Sequence, residues 1–201
     1  MPKKLSCKLI LASASPRRRQ LLQEAGYEFE VAPPGIAEPN TPPDGILPEV
    51  WAEALAYLKA RSVAESHPDA LVLGADTIVT HGGRIIGKPR DWDHARFILT
   101  RQFGGENDVI TGLALLHLGR MERIITHVRT TLTMRPMTGA ELEEYLAGGA
   151  WRGKAGAYAL QEGGDKFVLA ARGSKSNVVG LPLEKLEEIF SEIEEKYSQG
   201  I

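Results

Sequence analysis

Cysteine is nearly absent from this chain: Cys7 is the only one in 201 residues. One thiol excludes an intramolecular disulfide and a zinc site built on clustered cysteines, and it fits a reducing compartment. Long apolar runs are missing too. None approaches the ~20 residues of a transmembrane helix. The apolar stretch at residues 9–14, behind a basic start, is too short for a secretory core and runs into arginines. A cytoplasmic protein with no membrane partner is therefore expected. Positive charge is not in excess, with 24 Lys plus Arg against 26 Asp plus Glu for a net charge of −2. Aromatic residues are only 6% of the chain, and no strand interleaves them with basic ones. Nucleic acid is thus not an expected partner, and an anionic ligand has to be met by a local basic site. Repeats, low-complexity tracts and linkers are lacking. The scattered histidines, His67, His81, His94, His117 and His127, show no metal-ligand spacing and read as structural or solvated.

What is present starts with residues 9–19, L-I-L-A-S-A-S-P-R-R-R. Residues 9–12 are apolar and predict a buried strand. Pro16 suits the first position of a helix, where its missing N–H is no loss, and Ser15 is then a natural N-cap. Strand, hydroxyl turn and helix N-terminus meet at one point. Free backbone N–H groups, the positive end of a helix dipole, the hydroxyls of Ser13 and Ser15 and the forks of Arg17 and Arg18 suit a phosphate.

Further along, the first helix is expected over residues 17–26 and a strand over 27–31. Residues 32–48, rich in Pro and Gly, form a long loop carrying Glu38. Helical spacing over 49–66 points Val50, Ala54, Leu58 and Val63 inward and carries Lys59 in its second half. Residues 70–79 predict a buried strand with Asp76 at its end, where a carboxylate is costly unless paired, hydrogen-bonded or metal-bound. Gly82-Gly83 turns the chain into a strand at 84–86, and the loop Gly87-Lys88-Pro89-Arg90-Asp91 leads to a helix over 93–102. Strands over 108–118 and 122–134 precede a helix capped by Thr138 and Glu141. Residues 151–161 carry Lys154 and Gln161 among small residues that allow close approach of a ligand. A strand at 167–171, a polar loop at 173–177 and an amphipathic helix at 184–197 finish the chain. An anion site, a carboxylate and lysines at 59, 88 and 154 together describe a phosphate-handling enzyme. Carboxylates suit a divalent metal shared with phosphates.

Five motifs then carry a resemblance. Ser13-Ala14-Ser15-Pro16-Arg17-Arg18, Gly74-Ala75-Asp76-Thr77, Gly87-Lys88-Pro89-Arg90-Asp91, Lys154-Ala155-Gly156-Ala157-Tyr158 and Val179-Gly180-Leu181-Pro182-Leu183 stand in the order and spacing of the Maf family of nucleoside triphosphate pyrophosphatases. The resemblance covers nearly the whole chain as a single Maf-like domain, 1–201. It implies an elongated α/β fold with a long mixed sheet, flanking helices and two lobes around a cleft, as in inosine-triphosphate-type pyrophosphatases. It implies hydrolysis of the α–β phosphate bond with Mg²⁺ or Mn²⁺, and a homodimer. By position, Asp76 resembles the family's proton acceptor, Ser13, Ser15, Arg17 and Arg18 its nucleotide cradle, and Lys59, Lys88 and Lys154 further phosphate contacts. Lys88 is grouped with Asp76 and Glu38 as catalytic, and Glu38 and Asp76 are the implied metal ligands. Arg17, Thr77 and Gln161 resemble the branch that acts on dTTP and UTP. The chain departs from the family pattern at Gly153, where Asp is common, and around Ala159, Leu160 and Glu162. The alternatives are a non-catalytic nucleotide-binding regulator of cell division and a pyrophosphatase of other base specificity, such as 7-methyl-GTP.

Overall fold

The computed structural model describes residues 3–39, 41–158 and 165–199. It is an α/β structure around one seven-stranded mixed sheet. Three long antiparallel strands form its centre: β3 (Leu71–His81), β5 (Glu106–His117) and β6 (Glu122–Met134). At about 3.3 Å per residue the longest of them spans roughly 40 Å. β1 (Leu9–Ala12) runs parallel to β3, and β2 (Glu30–Val31) parallel to β1. β4 (Arg84–Ile86) returns along β3, and β7 (Val168–Arg172) closes the far edge on β6. The order is β2-β1-β3-β5-β6-β7, with β4 also on β3.

This order creates a gap. One edge of β3 pairs with β5 over residues 72–81. The other edge is shared, with β1 taking residues 71–74 and β4 taking 79–81. Residues 75–78 therefore have no strand neighbour on that side among the described residues. Asp76 was expected at a strand end, yet it lies mid-strand. The long pairing with β5, Asp76 opposite Gly112, carries the backbone onward, and what stops near Asp76 is the neighbouring β1.

Helices flank the sheet: α1 (Pro16–Glu24), α2 (Pro48–Ala64), α3 (Trp92–Gln102), α4 (Gly139–Gly148), α5 (Lys175–Val179) and α6 (Leu183–Ser198). One core joins Leu11, Leu22, Leu73 and Leu113 to Leu186 and Phe190 of α6. A second joins Leu99 and Phe103 to Leu132, Leu146 and Phe167 at the other end of the long strands. These are the two lobes. Among the described residues no helix is long and apolar enough to cross a membrane.

α2 corrects one expectation. Val50 and Leu58 are 46% and 41% exposed, while Trp51, Ala52, Leu55, Ala56, Lys59, Ala60 and Val63 are buried. The reason is backbone proximity. A Cβ on Gly74 of β3 would sit 2.3 Å from the Ala56 carbonyl oxygen, and one on Gly112 of β5 2.3 Å from that of Ala52. Only alanine fits where the helix crosses the sheet glycines, so Ala52, Ala56 and Ala60 set which side is buried, and Trp51, Leu55 and Val63 are buried with them. Lys59 lies on that face.

Two other expectations change. Of residues 27–31 only the last two join the sheet, Tyr27 making a single bridge to Lys3. The expected loop at 173–177 is largely helix α5, started by Ser174, whose hydroxyl accepts from the Asn177 N–H at 3.0 Å. The capping box of α4 forms as expected between Thr138 and Glu141. Hydrogen bonds from Arg135, then from the Thr138 N–H, hold the Glu141 carboxyl down at about 2. Such a group stabilises the fold fully above its unfolded value and loses that contribution as pH falls through the folded one. The Tm gap between the native chain and Glu141→Gln is therefore expected to be widest near neutrality and to close between about pH 5 and pH 2 in thermal melts.

Candidate active site

A cavity of about 380 Å³ opens at the gap in β3. It is large enough for a small-molecule ligand, whose pockets span about 300–1,000 Å³. Ser13, Ser15, Arg17, Arg18, Glu38, Lys59, Asp76, Thr77, Lys88 and Lys154 all line it. The expected specificity residue Gln161 lies outside the described residues. No histidine is among the lining residues.

One wall is the turn from β1 into α1. Ser15 caps the helix, its hydroxyl accepting from the Arg18 N–H at 3.5 Å, with Pro16 in the first turn. The Ser13 hydroxyl accepts the Ser15 N–H at 3.1 Å. Both serine oxygens thus serve as acceptors for the backbone. Among the described residues neither hydroxyl proton has a protein acceptor, so both remain to donate to an anion. Arg18 donates from Nε to the Gly180 carbonyl at 2.8 Å and from Nη2 to the Thr77 hydroxyl at 3.0 Å. Burial pushes its guanidinium below the ordinary arginine range, the charges of Asp76 and Glu38 raise it again, and Arg17 lowers it. The side chain still keeps part of its surface at the cavity, and an arginine so placed stays protonated.

The floor holds an ion triad. Lys59 Nζ lies 2.5 Å from Asp76 Oδ1 and 2.9 Å from Glu38 Oε2. The lysine side chain is 7% exposed and that of Asp76 13%, whereas Glu38 reaches in from its loop at 40%. A buried carboxylate in an apolar strand needs such a partner. Lys59, expected as a phosphate contact, is in the protein itself the cation that holds both carboxylates together.

The opposite wall carries exposed Lys88, from the loop after β4, and Lys154, whose ammonium donates to the Ala150 carbonyl at 2.7 Å. The two segments are tied to each other: the Gly156 N–H donates to the Gly87 carbonyl at 3.1 Å. Gly156 takes a left-handed conformation, φ +69°, and a Cβ there would meet Gln102 and Val79 at 3.1–3.2 Å. Buried Gln102, at the end of α3, donates from its amide to the Gly156 carbonyl. Sequence reading missed Gln102, which looks like any polar helix residue until the fold seals it under the turn.

The family model for Maf-like proteins matches residues 8–193. The chain belongs to the Maf family. A dTTP/UTP pyrophosphatase of Myxococcus xanthus is 47% identical to this Maf chain over 87% of each. One of Moorella thermoacetica is 44% identical over 92% of this chain and 94% of its own. One of Pelotomaculum thermopropionicum is 40% identical over 90% and 94% respectively. A solved HAM1 protein from Coxiella burnetii aligns with a TM-score of 0.47 at 15% identity, covering 94% of this chain and 99% of that one.

The family resemblance implies a divalent cation at this site. Glu38 and Asp76 are hard oxygen donors that reach one common cation, Lys59, at a cavity lined by anion-binding groups. Among the described residues no group of three or more His, Cys, Asp or Glu could hold a metal alone. Two carboxylates completed by substrate phosphate oxygens and water is the arrangement Mg²⁺ commonly takes, so the residues fit.

Proposed function

We propose that this Maf protein hydrolyses dTTP and UTP between the α- and β-phosphates, giving the nucleoside monophosphate and pyrophosphate. The observation that carries the reading is the convergence of Asp76 and Glu38 on Lys59 inside a cavity whose other walls carry Arg17, Arg18, Lys88 and Lys154. The names of the relatives supply the substrate class.

The serine hydroxyls, the arginines and the start of α1 bind the triphosphate. Arg18 has five N–H donors and spends two on the protein, leaving three for phosphate oxygens. Lys59 occupies Oδ1 of Asp76, which leaves Oδ2 to accept a proton from water. That water's oxygen attacks the α-phosphorus, the bond from phosphorus to the bridging oxygen breaks, and pyrophosphate departs with that oxygen. Lys88 and Lys154 neutralise the charge that builds on the leaving group. A divalent cation held by Glu38 and Asp76 supplies further charge withdrawal from the phosphate oxygens when bound.

The test is purified protein with Mg²⁺ or Mn²⁺ against a panel of canonical and modified nucleoside triphosphates. Pyrophosphate release is expected, fastest with dTTP and UTP. Tight nucleotide binding without pyrophosphate release would instead mark a regulator, and release of orthophosphate would place the cut at the wrong bond.

A further inference from the structure

Arg18 sits in a closed ring of hydrogen bonds that the reaction scheme does not use. Thr77 Oγ1, which accepts from Arg18 Nη2, lies 2.9 Å from Thr111 Oγ1, directly opposite on β5. Thr111 Oγ1 reaches the Asn177 carbonyl of α5 at 3.3 Å. The same carbonyl accepts the Gly180 N–H at 3.0 Å, and the Gly180 carbonyl accepts Arg18 Nε at 2.8 Å. The path thus returns to its start.

Proton counting orients the ring. Each threonine hydroxyl has one proton, and a carbonyl can only accept. If Thr111 donates to Asn177 and Thr77 donates to Thr111, every proton is placed and the Thr77 oxygen faces Arg18 as a pure acceptor. With the Thr77–Thr111 bond reversed, the Thr77 proton has no acceptor among the described residues. Thr111 is 0% exposed, so its proton is best placed on the Asn177 carbonyl, and the half-buried Thr77 then donates to Thr111. The ring is anchored from behind: Asn177 Nδ2 donates to the Val109 carbonyl at 3.0 Å and to the Thr130 hydroxyl at 2.9 Å. α5 is thereby pinned to β5 and β6.

We infer that Thr111 and Asn177 are positioning residues for Arg18, and that the Thr77 hydroxyl serves this ring rather than reading the nucleotide base. The inference rests on the reading of Arg18 as a phosphate-binding group. It assigns a task to a short helix that looks like a loop in sequence, and it gives Thr77 an indirect route to selectivity through where the guanidinium points.

Thr111→Val keeps shape and removes the hydroxyl, while Thr111→Ser keeps the hydroxyl. Thr111→Val is expected to raise KM for dTTP about tenfold, the worth of roughly one charge-assisted hydrogen bond, with a smaller change in kcat. Thr111→Ser is expected to restore KM to near the native value. In an Arg18→Lys background Thr111→Val should add little, because the group it positions has gone. Solvent exchange of the Arg18 Nε–H, followed by NMR without nucleotide, should be faster in Thr111→Val than in the native protein. If Thr111→Val does not fold, Thr77→Val breaks the same ring and is read the same way. An equal KM effect in both backgrounds, or unchanged Nε–H exchange, overturns the inference. A native protein that releases no pyrophosphate but whose Nε–H exchange responds to Thr111→Val overturns the proposed function and leaves the ring standing.

Discussion

Asp76→Asn is expected to lower turnover by about 10²–10⁴-fold, the usual worth of a general base, with little change in the thermal melt. The substitution is nearly isosteric and keeps an oxygen that can accept from Lys59 Nζ, now 2.5 Å from Oδ1. It also keeps Glu38 as a second partner for that lysine, at 2.9 Å. What it removes is a carboxylate able to take a proton from water. Steady-state pyrophosphate release gives kcat, and circular dichroism gives the melt. A variant with near-native kcat would take Asp76 out of the role. A variant that melts far below the native protein would show that the carboxylate's main duty is to neutralise Lys59. Removing one partner of a buried ion pair costs about 3–5 kcal/mol, which a melt would register. The two duties are therefore separable in one experiment.

The largest effect on stability is expected from Gly112→Ala. The new Cβ would fall 2.3 Å from both the carbonyl carbon and the oxygen of Ala52. These are backbone atoms of a helix held along its length, so no side chain can swing aside. Overpacking of a core costs about 1–3 kcal/mol and more where the backbone must shift, so the loss is expected at or above the top of that range in denaturant titration. Function should suffer in whatever fraction folds. α2 displaced at Ala52 carries Lys59 with it, and Lys59 is the link between Asp76 and Glu38. Gly148→Ala is the control. Nothing lies within 4 Å of its Cβ at the end of α4, and the alanine should be neutral or slightly stabilising. Equal, small effects at both positions would mean that the contact of α2 with the sheet is looser than the structure has it.

The elements legible in sequence are those whose signals are local. β1 follows from four apolar residues and β6 from a run of β-branched residues, each at its observed place, and α1 from Ser15 and Pro16, starting at Pro16 and ending two residues before the expected stop at Gly26. Residues from all five collinear motifs line one cavity, although they lie far apart in the chain, and Glu38 and Lys59 join them there from outside the motifs. What stayed hidden depends on close approach between elements. No periodicity says that Ala52, Ala56 and Ala60 face the sheet while Val50 and Leu58 face water, because the cause sits in Gly74 and Gly112. The burial of Lys59 was hidden for the same reason. α5 was hidden because five residues with one fully buried polar side chain, Asn177, present no apolar pattern.

The three long strands pass beneath the cleft without interruption, and both lobes grow from the same strands. A hinge requires a few residues that can absorb a large backbone rotation, and β5, paired along its length with β3 on one side and β6 on the other, cannot serve as one. The lobes are consequently not free to swing shut over a guest as separate jaws. The rim is built differently: Glu38 comes from a proline-rich loop, and the segments bearing Lys88 and Lys154 are tied to each other by the Gly156–Gly87 bond. In the proposed reaction the nucleotide would enter a cleft whose floor is one unbroken sheet.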